Sequence, residues 1–411
     1  MNCEIICVGT EILLGDIVNT NAVYLSKELA KLGINVLHQS VVGDNDGRLE
    51  ECIKEALSKN DIIILTGGLG PTADDITKEV SAKVMGEELV FDERQFEKIE
   101  SHFKAKNMEM ALSNKKQAFV PKNGIVLENN NGTAPGFAIE KNRKCLISLP
   151  GPPREMKPMF ENEALKILKK YSSSCLVSHN IRMAGIGESQ MAEQVKDLLE
   201  NKNPTVAPYA KDGECLLRVT AKAENEEQAE KICKNVIEKI KEKFSNYIYG
   251  IDIDGIEYAV VKKLKEKNLK IAFAESCTGG LCAKRITNVP GASSVFDCGI
   301  VSYSNEIKNQ ILGVNKDDLE KYGAVSETVA KQMASGVLKL SKASIGVGIT
   351  GIAGPESDST NKPVGLSYIA VAYKDKILCL KYQTARKDRD YNRIANSTKA
   401  FDTVRKIIEE W

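Results

Sequence analysis

The sequence predicts an α/β protein with two three-layer α/β domains that have mainly parallel sheets and are joined by a small α+β module. Short β-rich runs alternate with helical patterns near both ends of the chain, which is typical of βαβ units. A middle stretch has heavily charged helices and a different order of elements. The length of 411 residues is also too great for one ordinary hydrophobic core. We therefore expect domains at 1–170, 171–250 and 251–411.

In the first domain, the hydrophobic pattern predicts strands at 3–9, 34–42 and 61–66. Helical periodicity lies between and after them, at 20–32, 46–58, 76–85 and 92–105. A Gly/Pro/Asn-rich region follows and ends in a helix that begins with proline near residue 153. This order places the carboxyl ends of the first strands at one edge of a parallel sheet, where ligands bind.

The middle module is predicted to have strands at 176–184 and 214–223, and helices at 188–200 and 225–242. We interpret it as a connector or a dimer-forming unit. The third domain begins with a helix at 256–267 and returns to β/α alternation. Its strands are predicted at 271–274, 298–303, 344–350, 364–373 and 377–384. A final helix is predicted near 390–410.

Composition excludes several classes of function. The net charge of +1, with basic and acidic residues interspersed, gives no electrostatic footprint for direct nucleic-acid binding or for an anionic membrane. The eleven cysteines include no Cys-x-x-Cys pair, so we expect reduced thiols rather than a zinc site or disulfides. The N-terminus lacks a signal-peptide pattern, which predicts a cytoplasmic protein. A homodimer is the default expectation for such a protein.

The first chemical motif joins a buried strand to a helix, at 65–79. Its glycines, Gly67, Gly68 and Gly70, let the backbone approach a ligand, and free N–H groups at a helix start bind phosphate. Two further strand ends, at Gly9-Thr10-Glu11 and at Gly43-Asp44, are expected at the same sheet edge. Carboxylate oxygens suit Mg²⁺ beside a phosphate. The spacing assigns four carboxylates to the metal or to a water, namely Asp44, Asp74, Asp75 and Glu79.

This N-terminal pattern resembles the molybdopterin-binding domain. The resemblance rests on Thr66-Gly67-Gly68-Leu69-Gly70-Pro71-Thr72, with Asp75 and Thr77 behind it. Together with Gly9-Thr10-Glu11-Ile12-Leu13 and the segment 149–156, it resembles the N-terminal domain of the CinA family, the competence/damage-inducible proteins. The resemblance implies a metal-dependent ADP-ribose pyrophosphatase in which a metal-bound water attacks the diphosphate. Ligand contacts are then expected at Thr10, Glu11, Thr66, Gly67, Gly68 and Gly70.

The second motif, at 274–280, has the local pattern of a nucleophile elbow, because Ser276 ends a short apolar strand before two glycines and a helix. The three histidines of the chain, His38, His102 and His179, all precede residue 251, so a base for Ser276 must be another residue type. Lys308 is the best candidate, since burial can lower a lysine pKa enough for Ser-Lys chemistry. Cys277 remains a second candidate nucleophile, although its thiolate would need Lys308 or a helix dipole.

Other groups are expected around Ser276. Tyr303 could relay a proton or stack on an aromatic ring. The backbone N–H groups of Cys277, Thr278 or Gly279 could form an oxyanion hole. The segment 350–355 follows another strand, and its backbone could also contact a ligand. Singly, each of these residues is more often a cap, a solvated side chain or a packing group.

The C-terminal motifs resemble the nicotinamide-nucleotide amidase domain of CinA proteins over 255–411. The motifs that carry the resemblance are 274–280, 303–306, 323–326, 351–355 and 362–365. The resemblance implies hydrolysis of nicotinamide mononucleotide to nicotinate mononucleotide and ammonia, with no cofactor. It implies Ser276 as nucleophile, Lys308 as base and Tyr303 as their neighbour. Substrate contacts are implied at Thr278, Gly279, Thr350 and Gly351, with Arg389 or Arg393 on the 5′-phosphate.

The whole chain is thus identified as a member of the CinA family, with two activities that would recycle NAD breakdown products. The sequence leaves two alternatives open. The N-terminal domain could only bind a pterin or a nucleotide, or the protein could be a non-enzymatic partner in competence or the DNA damage response.

Overall fold

The computed structural model describes residues 1–172, 175–357 and 361–410. They form two compact units, of which one comprises residues 1–177 with 222–230 and the other residues 178–221 with 231–411. Among the described residues, no helix combines the length and the apolar character needed to cross a bilayer.

The first unit is built on a six-stranded sheet in the order β2-β1-β3-β8-β7-β6, with a separate antiparallel pair, β4 and β5. The pairings of β1 with β2, of β1 with β3 and of β3 with β8 are parallel, and those of β7 with β8 and with β6 are antiparallel. The strands are β1 (Asn2–Val8), β2 (Asn35–Val42), β3 (Ile62–Thr66), β4 (Leu89–Phe91), β5 (Phe119–Pro121), β6 (Ile125–Leu127), β7 (Gly136–Lys141) and β8 (Lys144–Leu149).

Helices cover both faces of this sheet, and each face has its own apolar core. The helices are α1 (Thr10–Leu14), α2 (Thr20–Lys31), α3 (Asp46–Lys59), α4 (Thr77–Met85), α5 (Glu93–Ala105), α6 (Pro153–Met159) and α7 (Leu165–Leu168). A π-helical turn joins α6 to α7, and 3₁₀ turns cover Leu112–Ala118 and Lys169–Tyr171. The predicted strands and the four predicted helices of this domain are confirmed. The strand β4 lies between the last two of these helices, and β5 to β8 lie in the Gly/Pro/Asn-rich region, for which no strands were predicted.

The middle module has a four-stranded sheet in the order β10-β11-β9-β12. Its elements are β9 (Cys175–Met183), α8 (Glu188–Gln194), α9 (Lys196–Leu199), β10 (Thr205–Lys211), β11 (Glu214–Ala223), α10 (Glu226–Phe244) and β12 (Ile248–Ile251). The four predicted elements are present, with the helix at 188–200 divided in two. The strands β10 and β12 were not predicted, because proline and glycine interrupt their apolar pattern.

The C-terminal sheet has the order β14-β13-β15-β16-β17. Its elements are α11 (Ile256–Glu266), β13 (Ile271–Glu275), α12 (Leu281–Thr287), β14 (Phe296–Val301), α13 (Asn305–Leu312), α14 (Lys316–Tyr322), α15 (Glu327–Leu340), β15 (Ile345–Gly351), β16 (Leu366–Tyr373), β17 (Lys376–Gln383) and α16 (Arg389–Glu410). β13 pairs in parallel with β14 and β15, whereas β15, β16 and β17 are antiparallel. This sheet is therefore mixed rather than mainly parallel.

Glycines on β15 bring the helix α15 onto one face of this sheet. A Cβ added at Gly346 would lie 2.3 Å from the carbonyl oxygen of Ala334, and one at Gly348 would lie 2.4 Å from that of Ala330. On the other face, α11, α12 and α16 contribute to a large buried cluster that includes Phe273 and Phe401. These layers leave the carboxyl ends of β13, β14 and β15 together at one edge.

Candidate functional site

Ser276 follows β13 directly and is held there by backbone hydrogen bonds. Its N–H donates to the carbonyl of Ile349 at 2.9 Å, and its own carbonyl accepts from the N–H of Gly279 at 3.1 Å. Gly279 and Gly280 have φ values of +60° and +88°, so glycine is required for the tight turn into α12. The predicted strand–turn–helix geometry at Ser276 is therefore present.

Lys308 lies in the first turn of α13, the helix that follows β14. Its Nζ lies 3.1 Å from Ser276 Oγ, 2.8 Å from the carbonyl oxygen of Ser302 and 3.1 Å from that of Tyr303. The side chain is fully buried, although it belongs to a residue type that is almost always solvated. Burial lowers the pKa of Lys308 to about 8.

This geometry suits a neutral amine that acts as a base. A neutral amine has two N–H bonds and one lone pair. When the two N–H bonds are directed at the carbonyls of Ser302 and Tyr303, the lone pair is left for the hydroxyl proton of Ser276. The arrangement can thus increase the nucleophilicity of Ser276 without a histidine.

Cys277 is a poorer nucleophile in this structure. Its side chain is buried, and burial raises the pKa of its thiol to about 12. Its Sγ lies 3.9 Å from Asn396 Nδ2. The reactive form of a cysteine is the thiolate, which a raised pKa disfavours.

Glu275, the last residue of β13, belongs to the site although it was not predicted there. Its carboxylate is fully buried and accepts hydrogen bonds from the N–H groups of Cys282 at 3.1 Å and Ala283 at 2.9 Å. Its backbone carbonyl accepts from Ser302 N–H at 2.9 Å. Glu275 therefore fixes the start of α12 and the end of β14 beside Ser276.

Two arginines at the start of α16 reach the edges of the Ser276 site. Arg389 donates to the carbonyl of Gly354 at 2.9 Å and to the hydroxyl of Tyr303 at 3.0 Å. Arg393 donates through Nε and Nη2 to the carbonyl of Thr278, at 3.3 and 3.2 Å. A guanidinium has five N–H donors, so both side chains keep donors for a ligand.

The other residues predicted to contact a substrate lie at the rim of the site or hold its backbone in place. Tyr303 is 61% exposed, which places it at the rim of the site. The hydroxyl of Thr350 donates to the carbonyl of Ala324 at 2.8 Å, so this side chain holds the segment at 323–326. Gly351 is the last residue of β15, and Gly279 uses its N–H within the turn. Among the predicted oxyanion donors, Cys277 and Thr278 are the better candidates.

The N-terminal unit contains a cavity of about 630 Å³ at the carboxyl ends of β1, β3 and β8. The predicted contacts Glu11, Thr66, Gly67, Gly68 and Gly70 line this cavity. Thr10 lies beside it and donates to Asp44 Oδ2 through its N–H at 3.1 Å and its hydroxyl at 2.8 Å. The structure thus brings the three predicted strand-end loops together.

Glycine is required in the loop after β3. Gly67 and Gly68 have φ values of +107° and +66°. A Cβ at Gly67 would lie only 2.1 Å from the carbonyl oxygen of Val8, and one at Gly68 would lie 2.2 Å from Thr77 Oγ1. The backbone of this loop therefore lies directly against β1 and α4 and leaves the space above it open.

Three of the four predicted metal ligands, Asp44, Asp74 and Asp75, line the cavity. Glu79 is outside the lining, with its Oε1 3.5 Å from Lys116 Nζ. In the described part of the chain, no three His, Cys, Asp or Glu side chains are grouped closely enough to hold a metal ion. Since Mg²⁺ is often held by one or two carboxylates plus substrate phosphates, these donors fit an ion that binds together with a diphosphate.

Two polar residues that were not predicted, Asn21 and Lys78, hold loops at or near the cavity. Asn21 donates to Thr66 Oγ1 at 2.9 Å and to the carbonyl of Gly151 at 2.7 Å. Lys78 is buried and donates to the carbonyls of Lys116 and Gln117 at 2.8 and 3.2 Å. Burial lowers the pKa of Lys78 to about 8. Both side chains bind loops that are distant from them in sequence, so the local residue pattern does not indicate their role.

Comparison with known proteins accounts for almost the whole chain. A family model described as the probable molybdopterin binding domain matches residues 4–170, and one described as the damage-inducible protein CinA KH domain matches residues 178–250. The model described as the CinA C-terminal domain matches residues 253–408. A competence-damage inducible protein of Clostridium botulinum is 50% identical over 410 residues, which cover 100% of both chains. The chain belongs to the CinA family.

A second relative and one solved structure are also similar to this chain. A competence-damage inducible protein of Clostridium beijerinckii is 49% identical over 409 residues, which cover 99% of this chain and 100% of the relative. A crystal structure of the competence/damage inducible protein CihA of Agrobacterium tumefaciens is 35% identical over 38% of this chain and 94% of that chain, with a TM-score of 0.36.

The family matches place each candidate site in a separate CinA domain. Ser276, Lys308 and the α16 arginines lie in the CinA C-terminal domain. The glycine-rich cavity lies in the molybdopterin-binding-like domain. The recognition of the family from its sequence motifs is thus confirmed, whereas the roles assigned to individual residues stay predictions.

Proposed function

We propose that the C-terminal domain hydrolyses the carboxamide of nicotinamide mononucleotide to nicotinate mononucleotide and ammonia. The observation that carries this proposal is the distance of 3.1 Å between Ser276 Oγ and Lys308 Nζ, at a lysine whose pKa is lowered to about 8. A hydroxyl paired with a neutral amine is the minimum that serine amidase chemistry requires.

The proposed reaction has two halves. Ser276 Oγ attacks the carboxamide carbon while its proton passes to Lys308 Nζ, and the N–H groups of Cys277 and Thr278 receive the developing oxyanion. The C–N bond then breaks as Lys308 returns the proton to the leaving nitrogen, which gives ammonia and an acyl-serine. In the second half a water attacks the ester, Lys308 accepts its proton, and the proton returns to Ser276 as nicotinate mononucleotide leaves.

In this proposal, residues at the rim of the site orient the substrate. The guanidinium groups of Arg389 and Arg393 lie on the Tyr303 and Thr278 sides of Ser276, and both keep N–H donors for the 5′-phosphate. We assign stacking on the pyridine ring to Tyr303, which is mostly exposed at this rim. This domain contributes no metal-dependent step.

The test is ammonia release from nicotinamide mononucleotide, without added metal, by wild type, Ser276→Ala and Lys308→Ala. Lys316→Ala is a matched control, since Lys316 is exposed on the next helix. We expect loss of activity in the first two variants and wild-type activity in the control. Activity that survives in Ser276→Ala would contradict the proposal and move the nucleophile to Cys277 or to water.

For the N-terminal domain we propose metal-dependent hydrolysis of the diphosphate of ADP-ribose. The support is a cavity large enough for a nucleotide, with backbone cradles and the carboxylates of Asp44, Asp74 and Asp75 on its wall. A divalent cation such as Mg²⁺, bound with the diphosphate, would offset its negative charge. Both reactions act on pyridine-nucleotide metabolites, so recycling of NAD breakdown products in the cytoplasm is the role that unites them.

The diagnostic measurement is AMP release from ADP-ribose with and without Mg²⁺. Asp44→Asn and Asp75→Asn should abolish turnover, whereas Glu79→Gln should retain it because Glu79 is outside the cavity lining. Nucleotide binding without turnover in wild type would favour a binding module instead. No turnover in either domain would favour a non-enzymatic role in competence or the damage response.

A further inference from the structure

The helix α16 contacts several loops of the Ser276 site. Besides the Arg393 contact to Thr278, Asn392 Nδ2 donates to the carbonyl of Ala353 at 2.9 Å. One turn later, Asn396 Nδ2 lies 3.9 Å from Cys277 Sγ. Asn392 and Asn396 are fully buried. The placement of this helix therefore sets the positions of the loops that follow β13 and β15.

The hairpin β10–β11 of the middle module packs against the same helix. Its two-residue turn, Asp212-Gly213, places Gly213 at a φ of +77°. A Cβ added there would lie 3.1 Å from the Cα of Ala395 and 3.3 Å from the Cβ of Thr398. Ala395 directly precedes Asn396, so the hairpin tip touches α16 at the level of the candidate site.

A second anchor lies further along α16. The buried side chain of Arg405 donates to the carbonyls of Ile248 at 3.3 Å and Asn246 at 3.5 Å, and to Asp402 Oδ1 at 2.7 Å. Tyr249 of β12 belongs to the same buried cluster as Phe401. Residues 178–221 and 231–411 form one compact unit, consistent with these contacts.

The family model described as the CinA KH domain matches this module, whose elements follow the order β9-α8-α9-β10-β11-α10-β12. KH domains clamp a nucleic-acid backbone with a Gly-x-x-Gly loop. Here α8 ends at Gln194 and α9 begins at Lys196, so the two helices are joined by Val195 alone. Within this unit the module contacts α16, and its strand β12 also packs against α11.

We propose that the middle module is a structural part of the amidase, in which the hairpin β10–β11 positions α16 and thereby the loop at Thr278. Gly213 is then a positioning residue, because only glycine combines its left-handed backbone with the close approach to Ala395. The consequence for catalysis rests on the proposed amidase function, whereas the mechanical coupling does not.

Hydrogen–deuterium exchange of the full chain tests the coupling without any substrate. Gly213→Val should displace the hairpin and accelerate amide exchange about ten-fold at 389–396 and at 276–281. Gly187→Ala is the matched control in the same module, because a Cβ there has nothing within 4 Å. The control should exchange like wild type. If Gly213→Val does not fold, Gly213→Ala makes the same test with a smaller side chain.

Two results would overturn the proposal. One is faster exchange in the hairpin peptide 205–223 with unchanged exchange at 389–396, which would show that the hairpin detaches without consequence. The other is unchanged exchange in both segments, which would show that the close approach at Gly213 does not constrain the hairpin.

Kinetics distinguish failure of this proposal from failure of the proposed function. With nicotinamide mononucleotide, displacement of Arg389 and Arg393 should raise KM about five- to ten-fold, and displacement of the Thr278 N–H should lower kcat as well. Partial unfolding would instead lower kcat at constant KM. A wild type that releases no ammonia would refute the amidase function, and the exchange measurement would still decide the coupling.

Discussion

Lys308 Nζ and Ser276 Oγ lie 3.1 Å apart, with the lysine fully buried. The same nitrogen donates to the carbonyls of Ser302 and Tyr303, which come directly after β14. The two carbonyls orient the amine, and burial weakens its hold on a proton. In the proposed amidase reaction, this pair activates the serine in a domain that has no histidine.

The first prediction concerns the pH dependence of ammonia release. Because the pKa of Lys308 is lowered to about 8, its neutral form prevails above that pH. We expect kcat/KM for nicotinamide mononucleotide to rise about ten-fold per pH unit below 8 and to level off above it. Initial rates from pH 6 to 9.5 measure this profile. A flat profile across that range would rule out Lys308 as the base.

The second prediction concerns stability. Because the pKa of Lys308 is lower in the folded protein than in the unfolded chain, folding disfavours the ammonium form of this side chain. Below pH 8 this lowers the free energy of unfolding by about 3 kcal/mol, and the effect disappears as the pH rises to 10.5. Lys308→Met removes this effect. The free energy of unfolding of the variant minus that of wild type should therefore decrease as the pH is raised from 8 to 10. Urea unfolding at several pH values measures this difference. Lys316→Met, at an exposed position, should show no such trend.

The pairing of Ser276 with Lys308 could be predicted because it depends on local pattern and strand order. Each residue follows a short strand, and the ends of adjacent parallel strands meet at one edge. The role of Glu275 could not be predicted in the same way. Its carboxylate contacts the start of α12, and nothing in the residue pattern indicates which way a strand-end glutamate is directed.

Site residues that lie far from Ser276 along the chain could not be predicted either. Asn392 and Asn396 lie more than a hundred residues from Ser276, and their contacts depend on how α16 packs. In the N-terminal domain, the three loops could be predicted to converge from strand order. The position of Glu79 outside the cavity lining could not, because its ion pair with Lys116 joins α4 to the 3₁₀ turn at Leu112–Ala118, which is distant in sequence.

The third prediction concerns Glu275→Gln. A glutamine offers one acceptor where the carboxylate offers two, so one N–H at the start of α12 loses its partner. We expect a loss of about 1–3 kcal/mol in the free energy of unfolding and a lower kcat with little change in KM. Thermal unfolding and amidase kinetics measure the two effects. Glu306→Gln, an exposed residue of α13, is the control and should match wild type.

The fourth prediction separates the two candidate nucleophiles. Since burial raises the pKa of the Cys277 thiol to about 12, its thiolate is scarce at neutral pH. Cys277→Ala should therefore release ammonia within about three-fold of the wild-type rate, with a small loss of stability from the space left in the core. Inactivity of a folded Cys277→Ala, together with activity in Ser276→Ala, would assign the reaction to the thiol.

The fifth prediction uses two glycines that share a left-handed backbone and differ in surroundings. Gly15 has a φ of +80° with nothing within 4 Å of an added Cβ, whereas a Cβ at Gly67 would lie 2.1 Å from the carbonyl oxygen of Val8. Gly15→Ala should cost about 1 kcal/mol from its conformation alone. Gly67→Ala should cost about 2–4 kcal/mol and displace the loop after β3. Thermal unfolding of both variants measures these costs.

The same pair of variants tests whether the two candidate sites are independent. Because Gly67 and Ser276 belong to different compact units, Gly67→Ala should abolish ADP-ribose turnover and nucleotide binding while amidase activity stays at the wild-type level. Gly15→Ala should retain both activities. A loss of amidase activity in Gly67→Ala would mean that the N-terminal cavity supports the Ser276 site, and the view of two separate catalytic domains would then be wrong.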